Sequence, residues 1–340
     1  MVLTMKSALL GLVVLGFSVS AGASARAEDQ QPRTEFHLLL KDMLKERQTV
    51  RSGEVRIRGN KIESSDGVKK LEGDVRATYS FDAAASSYRY ELVTQANLII
   101  DGPAKKYDVK FWCCLNPQYY ATIHNTPEDK SSNPLVLHPP SRDAGRELEG
   151  IEDRRPFDPL ASGLGGYFES LRGDTADSVS LGMQSKQVES YERNGSIATI
   201  SLLDETARHT LVVDLELRAP LKLTSRSLSD PSVFTNTAKW KRISGVVVPT
   251  EFKTRMVVTP DEGAAAFDYE LRFEWLRINE RFDAEEFKYR AFKDPPLGGD
   301  VFDARGPAVR YLGVLKEGCE VVKDVQDIPI PKPPRFPPRP

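Results

Sequence analysis

Histidine and cysteine are scarce in this chain, at four and three among 340 residues. So little imidazole and thiol excludes a multi-site metalloprotein and a disulfide-stapled fold. An excess of one charge is also lacking. Lys plus Arg number 47 and Asp plus Glu 49, a formal net charge of −2, so the chain has no basic footprint for nucleic acid. The short signatures of common catalysis are missing as well: no G-x-S-x-G elbow, no H-E-x-x-H, no P-loop lysine and no C-x-x-C. Gly163-Leu164-Gly165-Gly166 is rich in glycine but lacks the spacing of a phosphate-binding turn and follows no strand pattern. His124 and His138 flank a long polar stretch, while His37 and His209 stand isolated in sequence. None has a carboxylate nearby at metal-ligand spacing. The expectation is a non-enzymatic protein without metal or cofactor, with a hydrolase of unrecognised site as the competing class.

The chain is 40% hydrophobic and 28% charged. That suffices for one large domain with an apolar core and excludes a wholly disordered protein. The N-terminus reads as an export signal. Lys6 supplies positive charge, Ala8 to Val19 is an apolar and small run, and Ala25-Arg26-Ala27 is a small-x-small site. Cleavage is expected after Ala27, which places the mature chain in the periplasm or outside the cell. Losing Lys6 and Arg26 moves the formal charge to −4. No other stretch approaches membrane-spanning length, so an integral membrane protein is not expected. The other end is PIPKPPRFPPRP from Pro329, seven prolines in twelve residues. Proline fixes φ and lacks the amide donor, so residues 319–340 read as an extended tail.

Between these ends the expected organisation is one domain over 28–318. A helix is predicted from Thr34, as cap, to Arg47, with Phe36, Leu39, Leu40, Met43 and Leu44 along one stripe. Beyond Ser52 the period switches to two. Val75, Ala77, Tyr79 and Phe81 alternate with polar residues, a turn covers Asp82 to Ser87, and Tyr88, Tyr90 and Leu92 alternate again. That predicts a hairpin with one wet face. Tyr107 to Phe111 and Tyr119 to Ile123 read as a further pair across Asn116-Pro117. Asn194-Gly195 is a two-residue hairpin signal, and Tyr269 to Trp275 places a large apolar residue at every second position. Residues 126–156 read as a loop insertion, followed by a short helix near Gly165 to Leu171. At Asp283-Ala284-Glu285-Glu286 a capping box is expected, with Phe282 and Phe287 as its hydrophobic staple. Cys113 and Cys114 are neighbours on a strand and must point to opposite faces. Either one of them bridges to Cys319 or all three stay thiols.

Three stretches resemble a known family. Trp240-Lys-Arg-Ile-Ser-Gly245-Val-Val-Val-Pro249-Thr-Glu-Phe252 is similar to the W-x4-G-x3-P-x2-F strand pair of the outer-membrane lipoprotein carrier superfamily, which includes LolA-like and RseB-like exported proteins. Phe273 to Phe287 resembles their closing strand and short helix, and Phe157-Asp158-Pro159-Leu160 a loop of longer members. The resemblance implies a mainly β (α+β) fold: an incomplete antiparallel β-barrel wrapped around a few helices. It implies an apolar concave face able to hold acyl chains, and no enzyme activity. No known functional residue of the family falls on a matching position, so none is carried over. On such a face the alternating strands place Tyr79, Tyr90, Tyr107, Phe111, Phe273 and Trp275 as candidate cavity residues. The expected partner is an apolar ligand or a lipoprotein. The alternative is an envelope sensor or scaffold of RseB type, bound to envelope proteins.

Overall fold

A computed structural model describes residues 31–65, 68–98, 105–125, 134–140, 158–164, 182–258, 265–306, 308–317 and 321–322. The expected leader, the helix near Gly165 to Leu171, Cys319 and the proline run from Pro329 lie outside the described residues.

Helix α1 covers 31–47. Thr34 therefore sits inside the helix and does not cap it, a correction to the sequence reading. Gln31 Nε2 instead reaches Glu35 Oε1 at 3.0 Å, one turn on. The expected stripe holds: Phe36, Leu39, Leu40 and Met43 are buried.

Among the described residues sixteen strands form a single sheet. The chain enters in its middle. Strand β1 (Ser52–Ser65) lies between β2 (Val68–Asp82) and β13 (Ala265–Ile278). From β2 the sheet runs outward through β3 (Ser87–Leu98), β4 (Lys105–Asn116), β5 (Tyr119–Asn125) and β6 (Leu135–His138). The chain then crosses to the far edge at β7 (Gln187–Asn194). It returns by β8 (Ile197–Leu203), β9 (Ala207–Asp214), β10 (Ala219–Ser227), β11 (Val233–Ile243) and β12 (Val246–Val258) to β13. Last, β14 (Asp300–Asp303), β15 (Arg310–Leu315) and β16 (Val321–Val322) extend the edge beyond β6. Among the described residues only β14 and β6 pair in parallel. The two edges, β16 and β7, do not meet, so the fold is mainly β and the barrel is incomplete.

Turn chemistry explains the hairpins. Asn194 pairs with Ile197 across a turn in which Gly195 has φ +61°, which glycine adopts at little cost. Asp82 Oδ1 accepts from the amides of Ala84 and Ala85, closing the β2–β3 turn before Ser86 at φ +49°. In the Trp240–Phe252 stretch, Gly245 (φ +84°) makes the turn and Trp240 pairs with Pro249 beside a bulge. Each tryptophan near this proline is fixed by its indole N–H. Trp240 donates to Pro220 O at 2.7 Å and Trp275 to Pro249 O at 2.8 Å.

The capping box is present. Asp283 accepts from Glu285 N, Glu286 Oε1 accepts from Asp283 N at 2.9 Å, and the Phe282 and Phe287 rings lie 5.4 Å apart. It starts a short 3-10 turn, Ala284–Phe287, followed by a second, Tyr289–Ala291.

Two expectations fail here. Within the presumed insertion at 126–156, Leu135–His138 is a strand of the sheet. The wet outer face expected of the β2–β3 hairpin also fails on β3, where Arg89 is buried, and the next strands, β4 and β5, are covered as well. There Trp112, Cys114, Tyr119, Ala121 and Ile123 form a second core with Leu135, Leu137, Tyr289, Phe292, Val301 and Leu315. The segment after β13 returns across this outer face and is tied down by polar bonds. Asn116 donates to Phe287 O, Arg89 to Glu286 O and Trp112 to Lys293 O. Burial on both faces accounts for the unbroken apolar run Phe111-Trp112-Cys113-Cys114-Leu115.

Candidate functional site

The inner face of the sheet carries two cores. Helix α1 covers one, where Phe36, Leu39, Leu40 and Met43 pack on Ala198, Ile200 and Leu202 of β8, Leu211 and Val213 of β9 and Leu223 of β10. The other spreads over β1–β5, β12 and β13. It holds Tyr79, Phe81, Tyr88, Tyr90, Phe111, Cys113, Phe252, Tyr269, Leu271 and Phe273 among others. From outside the sheet only Val50 and Leu160 join it among the described residues.

Five of the six candidate cavity residues meet in this second core. Tyr79 and Tyr90 are cross-strand partners with ring centroids 5.4 Å apart. Phe81 stacks on Tyr79 at 5.3 Å and meets Trp275 edge-on at 6.4 Å. Gly53 makes that last contact fit, since a Cβ there would lie 2.9 Å from Trp275 and 3.0 Å from Phe81. Phe111 and Phe273 are buried in the same cluster, with Trp275 half-buried at its margin. Tyr107 is not part of the cluster; it lies further along β4, half-buried. Burial pushes the Tyr90 phenol well above its ordinary value of 10, and Cys113 and Tyr79 beside it act in the same direction.

Leu160 is delivered by a built turn. Asp158 Oδ1 accepts from Leu160 N at 2.9 Å and starts the 3-10 turn Pro159–Ala161. Gly163 follows with φ +82°, where a Cβ would come within 2.7 Å of Pro220 O. The glycine is thus required by close packing and positive φ, not by phosphate. Beside this turn, the Arg47 guanidinium lies 4.7 Å over the Trp240 ring and makes no hydrogen bond. Burial lowers its pKa to about 10, against the attraction of Asp158.

The cysteines point to opposite faces, as adjacent strand residues must. Cys113 lies in the inner core and Cys114 in the outer one. Cys114 is a free thiol whose pKa burial raises far above the ordinary range.

His209 is not isolated, a further correction. Its Nε2 lies 2.9 Å from Asp204 Oδ2, its Nδ1 2.7 Å from Ser225 Oγ, and Lys186 Nζ 3.0 Å from the same Nε2. Sequence reading missed the group because β9–β10 pairing, which sets His209 opposite Ser225, and the approach of Lys186 just ahead of β7 bring it together, not local spacing. Hydroxyl, imidazole and carboxylate stand in the order of a nucleophilic triad. Here, however, Lys186 also bonds Asp204 Oδ2, so a fixed ammonium matches the carboxylate charge that a triad reserves for its imidazolium. Burial works against the Asp204 charge, yet hydrogen bonds from Lys186, His209 and Thr206 hold its pKa far below the usual range. The group ties the β8–β9 turn to β10 and to the start of β7. Among the described residues no cluster of His, Cys, Asp and Glu is placed to hold a metal ion, and no helix is long and apolar enough to cross a membrane.

On the outer face a groove of about 300 Å³ is lined by Arg58, Gly59, Asn60, Glu251, Lys253 and Glu270 with their neighbours. Both of its carboxylates are paired, with Lys253 Nζ 2.8 Å from Glu270 and Lys239 Nζ 2.7 Å from Glu251. The inner face is the better candidate.

No family model and no curated protein matches the chain. Solved structures of similar fold do. A DUF1329 family protein from Desulfovibrio piger is 12% identical with a TM-score of 0.43, covering 77% of this chain and 99% of its own. A LolA superfamily protein from Nitrosomonas europaea is 11% identical with a TM-score of 0.38, covering 74% and 98%. An outer membrane lipoprotein-sorting protein domain from Vibrio parahaemolyticus is 10% identical with a TM-score of 0.39, covering 74% and 96%.

Proposed function

We propose that this chain is an exported, non-catalytic binding protein that holds an acyl chain or similar apolar ligand on the inner face of its sheet. One observation carries the reading. A twenty-residue apolar core spans seven strands, yet only Val50 and Leu160 come to it from outside the sheet among the described residues. A sheet face of this kind needs a second layer to bury against, and α1 supplies that layer only at β8–β10. Tyrosines suit such a wall, because the ring lines the apolar space while the hydroxyl can meet a polar group.

Titrating the delipidated protein with a fluorescent long-chain fatty acid should give saturable binding. Phe111→Arg, or Val109→Arg on the half-exposed end of the same strand face, should weaken binding at least about tenfold by placing a charge against the chain. Circular dichroism identifies which of the two variants stays folded. A folded variant with unchanged affinity, or a wild-type protein that binds no fatty acid, contradicts the reading. Co-purification of an intact envelope protein on an otherwise empty chain would favour the sensor or scaffold instead. The export half has its own check: N-terminal sequencing of the mature protein should begin within a few residues of Glu28, and a full-length cytoplasmic form would refute it.

A further inference from the structure

On the outer face of the central strands, opposite charges stand across from one another. Arg56 faces Glu274 between β1 and β13, Lys253 faces Glu270 and Arg255 faces Asp268 between β12 and β13, and Lys239 faces Glu251 between β11 and β12. Each is an ion pair, at 2.8, 2.8, 3.7 and 2.7 Å in that order. One row breaks the rule. Arg58 on β1 has Arg76 of β2 on one side and Arg272 of β13 on the other. Like charges directly opposite one another destabilise a sheet, so this row costs stability that the others do not.

None of the three arginines makes an ion pair or a side-chain hydrogen bond. The carboxylates around them are taken. Glu251, across from Arg272, is held by Lys239, while Glu270 and Glu274, diagonal to Arg58, are held by Lys253 and Arg56. That leaves three guanidinium groups against one uncommitted carboxylate, Asp74, which is diagonal to Arg58 and pairs with none of them. Arg58 and Arg272 line the groove of about 300 Å³ together with Asn60, whose side-chain amide also bonds nothing within the chain. Strands lie about 4.8 Å apart, so the roots of Arg76 and Arg272 are about 10 Å apart with Arg58 between them. Side chains of this length can close on one anion above the middle of the row. The guanidinium fork matches the paired oxygens of a carboxylate or a phosphate. A carboxylate has two oxygens and one charge. A phosphate monoester has three terminal oxygens and about two charges, so it can satisfy more than one fork. Because β1 is paired along both edges, the arginine roots are fixed before any ligand arrives.

We infer that the outer groove at Arg58 and Arg272, with Arg76 beside it, is a second binding site, and that it takes the phosphate monoester group of a small molecule or lipid head. The site lies on the opposite face of the sheet from the aromatic core and does not depend on the apolar-ligand reading.

The test is calorimetric titration of the full chain with glycerol 3-phosphate, glycerate and glycerol, beside sedimentation with phosphatidylcholine vesicles that contain phosphatidic acid. Phosphatidic acid presents the same phosphate head on a lipid, so binding of free glycerol 3-phosphate identifies a soluble ligand, and binding to the vesicles alone identifies a lipid head. Glycerol 3-phosphate should bind at least about tenfold more tightly than glycerate, and glycerol should not bind. Arg58→Gln and Arg272→Gln should each weaken binding at least about tenfold, as loss of a charge-assisted hydrogen bond does. Arg226→Gln removes the same charge from an exposed position on β10 and should change binding little. Both row variants should be at least as stable as wild type in urea, because each relieves a like-charge contact. Absence of binding to both the free ester and the vesicles, equal affinity for phosphate and carboxylate, or an equal loss in all three variants overturns the site. The last of these would show attraction by overall charge only. Each such result leaves the inner-face reading untouched.

Discussion

Gly59→Ala is expected to leave little folded protein. An ideal Cβ at Gly59 would lie 1.8 Å from Glu270 O, 2.8 Å from Glu270 C and 3.0 Å from Leu271 Cα. All three are backbone atoms of β13, so no side chain can rotate away to make room. The strands must separate at the pairing of Gly59 with Leu271, in the middle of a register that runs from Gly53–Ile278 to Ser65–Ala265. This junction joins the two halves of the sheet, since β1 leads on to β2–β6 and β13 closes the series β7–β13. Overpacking where side chains can adjust costs about 1–3 kcal/mol, so a clash with fixed backbone should reach about 3 kcal/mol or more. Urea unfolding, or the soluble yield if the variant aggregates, reads the effect. Gly182 is the control. It lies in a helical segment, 182–184, and has nothing within 4 Å of a built Cβ, so Gly182→Ala should be neutral or slightly stabilising. Equal behaviour of the two alanines would mean that β1 and β13 do not approach as described.

Phe273→Ala should cost about 3–5 kcal/mol, as large aromatic truncations in cores do. Phe273 pairs with Ile57 and belongs to the inner core with Leu271 and Tyr269 on the same strand. Its neighbour Glu274 points the other way and bonds Arg56 at 2.8 Å, with both side chains well exposed. Exposed ion pairs contribute about 0–1 kcal/mol, so Glu274→Ala should fall within that range. Chemical denaturation of the two variants side by side measures the difference. Similar losses at both positions would contradict the assignment of inner and outer faces that the ligand reading depends on.

The parts of this fold legible in the sequence were those in which one short stretch contains the whole physical cause. Asn194-Gly195 turns because glycine accepts positive φ. Asp283 to Glu286 caps because side chain and amide are three residues apart. Tyr269 to Trp275 alternates because one face is buried and the other wet. What escaped depended on partners far away in the chain. The outer core at Trp112 and Cys114 forms because residues near Tyr289 and Val301 fold back over β4 and β5. Its one local trace was the unbroken apolar run through Phe111 and Leu115, which marks a strand buried on both sides. Leu135–His138 is four residues long, too short to show a period amid prolines and charge. The six aromatic candidates followed from alternation alone, and five of them do meet. The burial of Lys61, Asn236 and Thr254 did not stand out, because a lysine, an asparagine and a threonine in strands look like the wet side. Counting by twos from Val55 and Ile57 puts Lys61 on the inner face, and the same count from Phe252 puts Thr254 there.

The central claim is that the inner face is completed by a small apolar or amphipathic molecule. Native mass spectrometry of the purified mature chain, before and after extraction with organic solvent, tests it most directly. The account predicts a non-covalent mass on the protein that extraction removes and that added palmitate or its methyl ester replaces. A chain that carries no added mass before extraction, and takes up neither compound afterwards, would contradict it.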